Sequence, residues 1–259
     1  MPSRHMHWTN KVVLITGASS GIGRALAIQL ARKGALVGLL ARRAEVLKDV
    51  AETIQSCGGG ALALPADVTD AAAVRAAVRE LRERFGPIDV LVANAGISVN
   101  TFVPDLCEKK IADLMNVNVI GVVNSVSAVL PDMINRGSGH LVGNSSLAAY
   151  RGLPKTAAYC ASKAAVSSFL EAIRIDLRGS GVDVTIIHPG FVKTPLITNI
   201  RRTPYVMELD LAVKKIIRAI EKRKKRYSFP WQLATVARAC KLMPTPMYDW
   251  FAERNSFRG

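Results

Sequence analysis

The chain is poor in the residues that staple small proteins or hold metals. Its 259 residues include four cysteines, at positions 57, 107, 160 and 240, and four histidines. The cysteines show none of the close spacings of a zinc site, and thiols this sparse fit a reduced, cytoplasmic setting with no structural metal. Aromatic residues make up only 6% of the chain. No apolar run reaches the roughly 18 residues needed to span a bilayer. The N-terminal stretch MPSRHMHWTN has no apolar h-region of the kind a secretory leader carries, so a leader is not expected. Repeats, low-complexity segments and an interdomain linker are all missing. Acidic residues are scarce too, 20 against 35 Lys and Arg, for a net charge of +15. From Arg201 onward 14 basic residues face 5 acidic ones. Such a surface suits an anionic partner such as nucleotide phosphates or lipid, or is a solvated face. With no nucleic-acid reader motif beside it, nucleic acid is not expected.

What is present describes a globular protein with an ample core: 49% hydrophobic and 21% charged residues. Short apolar runs, bounded by turn residues, alternate with longer helical patterns. The strands are Lys11 to Thr16, Ala35 to Ala41, Ala61 to Ala66, Ile88 to Ala93, His140 to Asn144 and Val182 to His188, with Tyr227 to Phe229 as an edge strand. Helices are expected over Ser19 to Lys33, Ala44 to Cys57, Asp70 to Phe85, Val103 to Asn116, Val119 to Asn135, Lys155 to Leu177 and Met207 to Glu221. This alternation predicts an α/β protein with a doubly wound parallel sheet, helices on both faces and a C-terminal helical extension, with apolar positions near helical spacing over Trp231 to Met243. Residues 1–230 form one domain. Residues 231–259 are a C-terminal amphipathic extension, packed on the domain, on a dimer partner or on a membrane.

One stretch carries chemistry: Ser146 to Lys163, SLAAYRGLPKTAAYCASK. Tyr159 and Lys163 stand four apart in a helical segment, so a phenol and an ammonium share one face. A free tyrosine titrates near pH ~10, and a neighbouring ammonium favours the phenolate. That brings it toward the range in which a general acid or base is effective. Ser146, at a strand end, can hydrogen-bond a carbonyl oxygen on which negative charge builds. Ser145 alternates to the opposite face and is the poorer candidate.

A second stretch binds phosphate. Gly17, Gly21 and Gly23 stand in TGASSGIG between the first strand and the first helix, where glycines permit a tight turn against a pyrophosphate and the helix N-terminus faces the anion. An acidic residue about 20 positions on would accept the ribose hydroxyl of NAD. This chain has Arg42 and Arg43 there, and a guanidinium pairs with a 2′-phosphate, which favours NADP(H) over NAD(H).

Taken together, TGASSGIG (16–23), ADV (66–68), ANAG (93–96), the NVNVIG segment around Asn118, the Ser146 strand end, YCASK (159–163) and HPGFVKT (188–194) resemble the short-chain dehydrogenase/reductase superfamily in identity and order. The resemblance implies a single Rossmann-type domain with a seven-stranded parallel sheet. It implies Tyr159 as general acid/base, Lys163 as the group that tunes it and holds the nicotinamide ribose, and Ser146 as the carbonyl-polarising hydroxyl. It makes Asn118 the holder of a relay water, although an asparagine inside a helix can instead simply bond a neighbouring carbonyl. Asp67 and Val68 would flank the adenine, Asn94, Ala95 and Gly96 would line the adenosine ribose, and Pro189, Gly190, Val192 and Thr194 would touch the nicotinamide end. Ser19, Ser20, Ile22 and Arg43 complete the cofactor set. Ser20 stands where many NADP-preferring members have a basic residue, which leaves dual specificity open.

The expected activity is interconversion of a ketone or aldehyde and an alcohol with NADP(H), on a hydrophobic small molecule. The other class is a non-catalytic nucleotide-binding or interaction protein on the same fold, which would have no use for the serine, tyrosine and lysine together. A homodimer or homotetramer is implied by the family. Arg201 and Arg202 could meet an anionic substrate. The run KRKKR (222–226), followed by apolar positions including Trp231, Trp250 and Phe251, would allow a peripheral membrane contact; covering a sheet edge or a dimer interface is the plainer use.

Overall fold

The computed structural model describes residues 7–197 and 203–254. Arg201 and Arg202 lie outside them. Seven strands form one sheet: β1 (Val12–Thr16), β2 (Leu36–Ala41), β3 (Gly60–Pro65), β4 (Val90–Ala93), β5 (Gly139–Asn144), β6 (Val182–Pro189) and β7 (Arg226–Phe229). Their order is β3-β2-β1-β4-β5-β6-β7 and every pairing is parallel. A parallel sheet is covered on both faces, which explains why its strands read as unbroken apolar runs rather than alternating ones. All five residues of β1, VVLIT, are buried.

Two cores flank the sheet. One gathers α1 (Gly21–Ala31), α2 (Ala44–Gln55) and α7 (Leu209–Glu221) over residues such as Leu26, Val50 and Ile216. Trp8 is buried in the same core and its indole donates to Glu221 at 2.8 Å, so the chain just before β1 is tied to α7. The other core gathers α3 (Ala71–Phe85), α5 (Gly121–Asn135) and α6 (Ala157–Asp176) over Leu81, Val126 and Leu170. Asp70 caps α3, accepting from the N–H groups of Ala72 and Ala73. Strand order reverses between β1 and β4, and the crevice beyond the strand C-termini at that switch is where such sheets bind ligands.

Two segments differ from the sequence reading, and the C-terminal helical extension is as expected. The helix expected to begin at Val103 is a 3-10 turn, Val103–Asp105, and then α4, Glu108–Met115. A π turn, Asn116–Ile120, joins α4 directly to α5, so the two expected helices are one run of 28 residues from Glu108 to Asn135. By length and composition alone that run could cross a bilayer, which the absence of an uninterrupted apolar stretch had hidden. Here it packs against α3, α6, β4 and β5 and buries Asn118 and Ser125, as a core helix does. Beyond β7 the chain forms two helices, α8 (Trp231–Leu242) and α9 (Thr245–Arg254). Cys240, Tyr248 and Ala252 make a small core of their own there, with Met243 and Phe251 packed on it.

The basic run leads into β7, and α8 leaves its end. Arg223 is paired with Asp183, and Arg226 with Glu171 at 3.0 Å.

Candidate active site

The strand C-termini open into one cavity of about 600 Å³ that runs from Gly17 to the C-terminal helices. At its β1 end the chain turns through Gly17 (φ +69°) and Gly21 (φ +52°) into α1. A Cβ on Gly17 would stand 2.8 Å from the Ala95 Cα, and one on Gly23 would stand 2.3 Å from the Gly17 carbonyl oxygen. Only glycine fits either place. Ser20 is the N-cap of α1, makes no side-chain cap bond, and no acidic residue occupies the first turn. The helix therefore presents N–H groups and its positive end to the cavity. Asn94 and Ala95 donate their N–H groups to the Thr16 hydroxyl, both at 3.0 Å, which staples the end of β4 to the end of β1.

The Arg43 guanidinium donates to the Ser19 hydroxyl at 2.9 Å. Arg42 stands 3.7 Å from the Asp67 carboxylate and is largely exposed. Asp67 accepts from the N–H and hydroxyl of Thr69, each at 2.9 Å. Val68 is buried under Gly121, where a Cβ would come within 2.6 Å of it. These residues, with Ser19, Ser20, Ile22 and Asn94 to Gly96, make one continuous wall. The wall suits a dinucleotide: a glycine cradle that any side chain would fill, a helix end without acidic groups, and two guanidinia beside them. Asn144 adds a buried side-chain amide oxygen, Oδ1, with no hydrogen-bond partner among the described residues, on the same cavity lining.

Past this wall stand the chemical groups. Ser146 follows β5 in extended backbone; its hydroxyl accepts from the Ala148 N–H at 3.1 Å and donates to the Pro189 carbonyl at 3.5 Å. Tyr159 and Lys163 lie one turn apart on α6, with the ammonium 5.7 Å from the ring centre. Lys163 is buried, donates to the Asn144 carbonyl at 2.9 Å, and burial lowers its pKa to about 8. Its Nζ would stand 3.4 Å from a Cβ on Gly96, so that glycine lets the β4 loop approach the ammonium. Ser145 points the other way: it donates to the Lys163 carbonyl at 2.9 Å and shares a 2.7 Å bond with Ser167. Ser167 in turn meets His188 Nε2 at 3.1 Å. The hydroxyls beneath Lys163 thus fix its backbone.

Of the residues singled out in the sequence, Gly17, Ser19 to Ile22, Arg42, Arg43, Asp67, Val68, Asn94 to Gly96, Ser146, Tyr159, Lys163, Pro189, Gly190, Val192 and Thr194 all line this cavity. Gly23 lies behind the turn it permits. Asn118 is fully buried rather than on the lining; its side chain accepts from the Ile97 N–H at 2.8 Å and donates to the Ile97 carbonyl and the Ser162 hydroxyl, both at 3.0 Å. Its amide thus holds the β4 loop to α6. The sequence reading missed Asn144, whose place just before two serines at a strand end was a usable signal. It also missed Arg151 and the lining from α8 and α9, including Leu233, Val236 and Phe251. Gly190 shows how closely α8 approaches: a Cβ there would stand 3.1 Å from the Leu233 Cδ1.

A family model described as "short chain dehydrogenase" matches residues 11–204. An uncharacterized oxidoreductase of Myxococcus xanthus is 44% identical over 245 residues, covering 94% of this chain and 97% of its own. A fatty acyl-CoA reductase of Acinetobacter baylyi is 35% identical over 220 residues, 83% of this chain and 75% of its own. The crystal structure of a short chain dehydrogenase/reductase from Burkholderia phymatum in complex with NAD superposes with a TM-score of 0.84 at 25% identity, covering 98% of this chain and 99% of that one. The switch-point cavity, the glycine turn and these likenesses agree: the chain belongs to the short-chain dehydrogenase/reductase family and is an NAD(P)-dependent oxidoreductase.

Proposed function

We propose that the protein interconverts an apolar ketone or aldehyde and its alcohol with NADP(H). The observation that carries this reading is the placement of Ser146, Tyr159 and Lys163 on one cavity, with the Lys163 ammonium 5.7 Å from the Tyr159 ring. Bound nicotinamide supplies or takes up the hydride. The chain does the rest. Ser146 turns its hydroxyl from a long bond with Pro189 to the substrate oxygen and steadies the charge that grows there. Tyr159 passes a proton to that oxygen, or removes it in the oxidative direction. Lys163, held by the Asn144 carbonyl, places a positive charge beside the phenol and favours its ionised form. Asn118 is a positioning residue that keeps the β4 loop against α6.

NADP(H) is preferred in this reading because Arg43 is held beside Ser19 at the phosphate turn and Arg42 stands next to it. An apolar substrate follows from the lining beyond Ser146, where Leu147, Leu153, Leu196 and Leu233 dominate. The described cysteines are all free thiols, in keeping with a reducing, cytoplasmic setting. A homodimer or homotetramer is part of the same proposal, supported by exposed Ile134 and Ile175 on α5 and α6.

The test is NADPH oxidation with a panel of ketones and aldehydes by the wild type and by Tyr159→Phe. Loss of the phenolic proton donor lowers kcat by about 10²–10⁴-fold while NADPH still binds. Equal consumption of cofactor by both proteins would remove Tyr159 from the chemistry.

A further inference from the structure

α8 turns an apolar face into the cavity. At about 100° per residue, Leu233, Val236, Ala237 and Cys240 fall on one side of the helix, and all four line the cavity. Phe251 and Ala252 of α9 continue the lining. Among the described residues, the charged groups on the cavity are few. Arg42, Arg43 and Asp67 stand at the dinucleotide wall, Lys163 at the reacting centre, and Arg151 beside the C-terminal helices.

Arg151 is already committed. Its Nη1 donates to the carbonyls of Cys240 and Met243, each at 2.6 Å, and its guanidinium lies 4.0 Å from the centre of the Tyr248 ring. The two carbonyls belong to the C-terminal end of α8, where a helix leaves such groups unpaired and favours a cation. Tyr248 completes the tie by donating its hydroxyl to the Gly152 carbonyl. The helix pair has its own small core, separate from the two that flank the sheet. Residues 150–152, which lie in the chain between Ser146 and Tyr159, tie this pair over the cavity. The Nη1 donors of Arg151 are thus taken up by backbone carbonyls, and the cavity lining beside it from α8 and α9 is apolar.

We propose that α8 and α9 form a seat for the aliphatic tail of the substrate, and that Arg151 is the positioning residue that latches this seat over Ser146 and Tyr159. The proposal rests on the reading of the site as a carbonyl reductase, and its test separates the two. With NADPH and a series of straight-chain aldehydes from propanal to decanal, kcat/KM of the wild type rises roughly fourfold for each methylene that reaches the seat. Ala237→Trp fills the seat and removes that rise. Arg151→Met raises KM for decanal far more than kcat changes, and Arg151→Lys recovers part of the loss. Without any substrate, hydrogen exchange of the amides in 231–254 is about tenfold or more faster in Arg151→Met, because the latch closes those helices.

A binding measurement stands apart from turnover: the uncharged probe N-phenyl-1-naphthylamine binds the wild type, is displaced by decanol, and does not bind Ala237→Trp. A flat chain-length series together with absent probe binding overturns the seat. Unchanged exchange in Arg151→Met overturns the latch. A preference for ω-carboxylated aldehydes that vanishes in Arg151→Met assigns the guanidinium to substrate charge and overturns the proposal. If no aldehyde is turned over but probe binding and exchange behave as stated, the reductase reading fails and the seat stands.

Discussion

The Lys163 ammonium lies 5.7 Å from the ring centre of Tyr159, one turn before it on α6, and is anchored on the Asn144 carbonyl at 2.9 Å. A buried charge with a single described hydrogen-bond acceptor is costly to the fold. Its cost and its use have the same origin: a desolvated cation interacts more strongly with the phenol beside it than a hydrated one does.

That cost gives an alkaline signature. Burial lowers the Lys163 pKa from the usual 10.5 to about 8. Between those values the unfolded chain keeps a proton that the folded chain has released, so stability rises with pH across this window. Below pH 8 both states are protonated and the burial penalty is fully present. Urea unfolding of the wild type and Lys163→Met between pH 7 and 10 should show the wild type gaining relative to the variant, by up to about 1.4 kcal/mol per pH unit. Parallel curves would mean that the ammonium is not desolvated. In the same window kcat/KM for reduction declines, as the charge beside Tyr159 is lost.

The acid side is set by two buried histidines. Burial, and then the Arg223 charge against an opposing pull from Asp183, lowers the His140 pKa from 6.5 to about 4. Burial, with Arg226 and Arg238, lowers that of His188 from 6.5 to about 3. Below pH 6.5 the unfolded chain takes up protons that these rings refuse, so stability falls as pH drops toward 4. His140→Gln keeps a partner for the Thr185 hydroxyl, which meets the ring at 2.8 Å, and removes one titrating group. Its melting temperature should fall less steeply than that of the wild type from pH 7 to pH 4.5; an identical slope would acquit His140.

Cofactor choice is testable at the phosphate turn. Arg43 is fastened to Ser19 at 2.9 Å and Arg42 stands free of the sheet with Asp67 3.7 Å away. The double variant Arg42→Ala, Arg43→Ala should raise KM for NADPH by about 10–100-fold, the range expected for losing charge-assisted hydrogen bonds to a phosphate, with little change for NADH. An unaltered ratio of the two KM values would end the preference for NADP(H).

Much of the architecture was legible because it is local. A strand covered on both faces must be apolar throughout, so β1 and β4 to β6 announce themselves as short uninterrupted runs. Tyr159 and Lys163 are brought together by helix geometry alone, and Ser145 and Ser146 are sorted by the alternation of an extended chain. The glycines of TGASSGIG mark a turn that a side chain would block. Where the reading fell short, the deciding contact was remote. The lining from α8 and α9 went unread, since Leu233 and Phe251 reach the cavity only through the fold. The NVN segment reads as a break between helices, and a π turn carries the helix through it.

The amino-acid pattern therefore determined the sheet, its covering helices, the glycine turn and the pairing of Tyr159 with Lys163 on one helix face, because each depends on neighbours within a few residues or on simple burial. Packing in three dimensions decided what surrounds the substrate. Arg151 meets Cys240 and Met243 across 89 and 92 residues, and Leu233 of α8 lies against Gly190 beyond β6. Nothing near any of these residues in the chain encodes those relationships, since they arise only when the sheet sets which strand ends and which loop lie side by side.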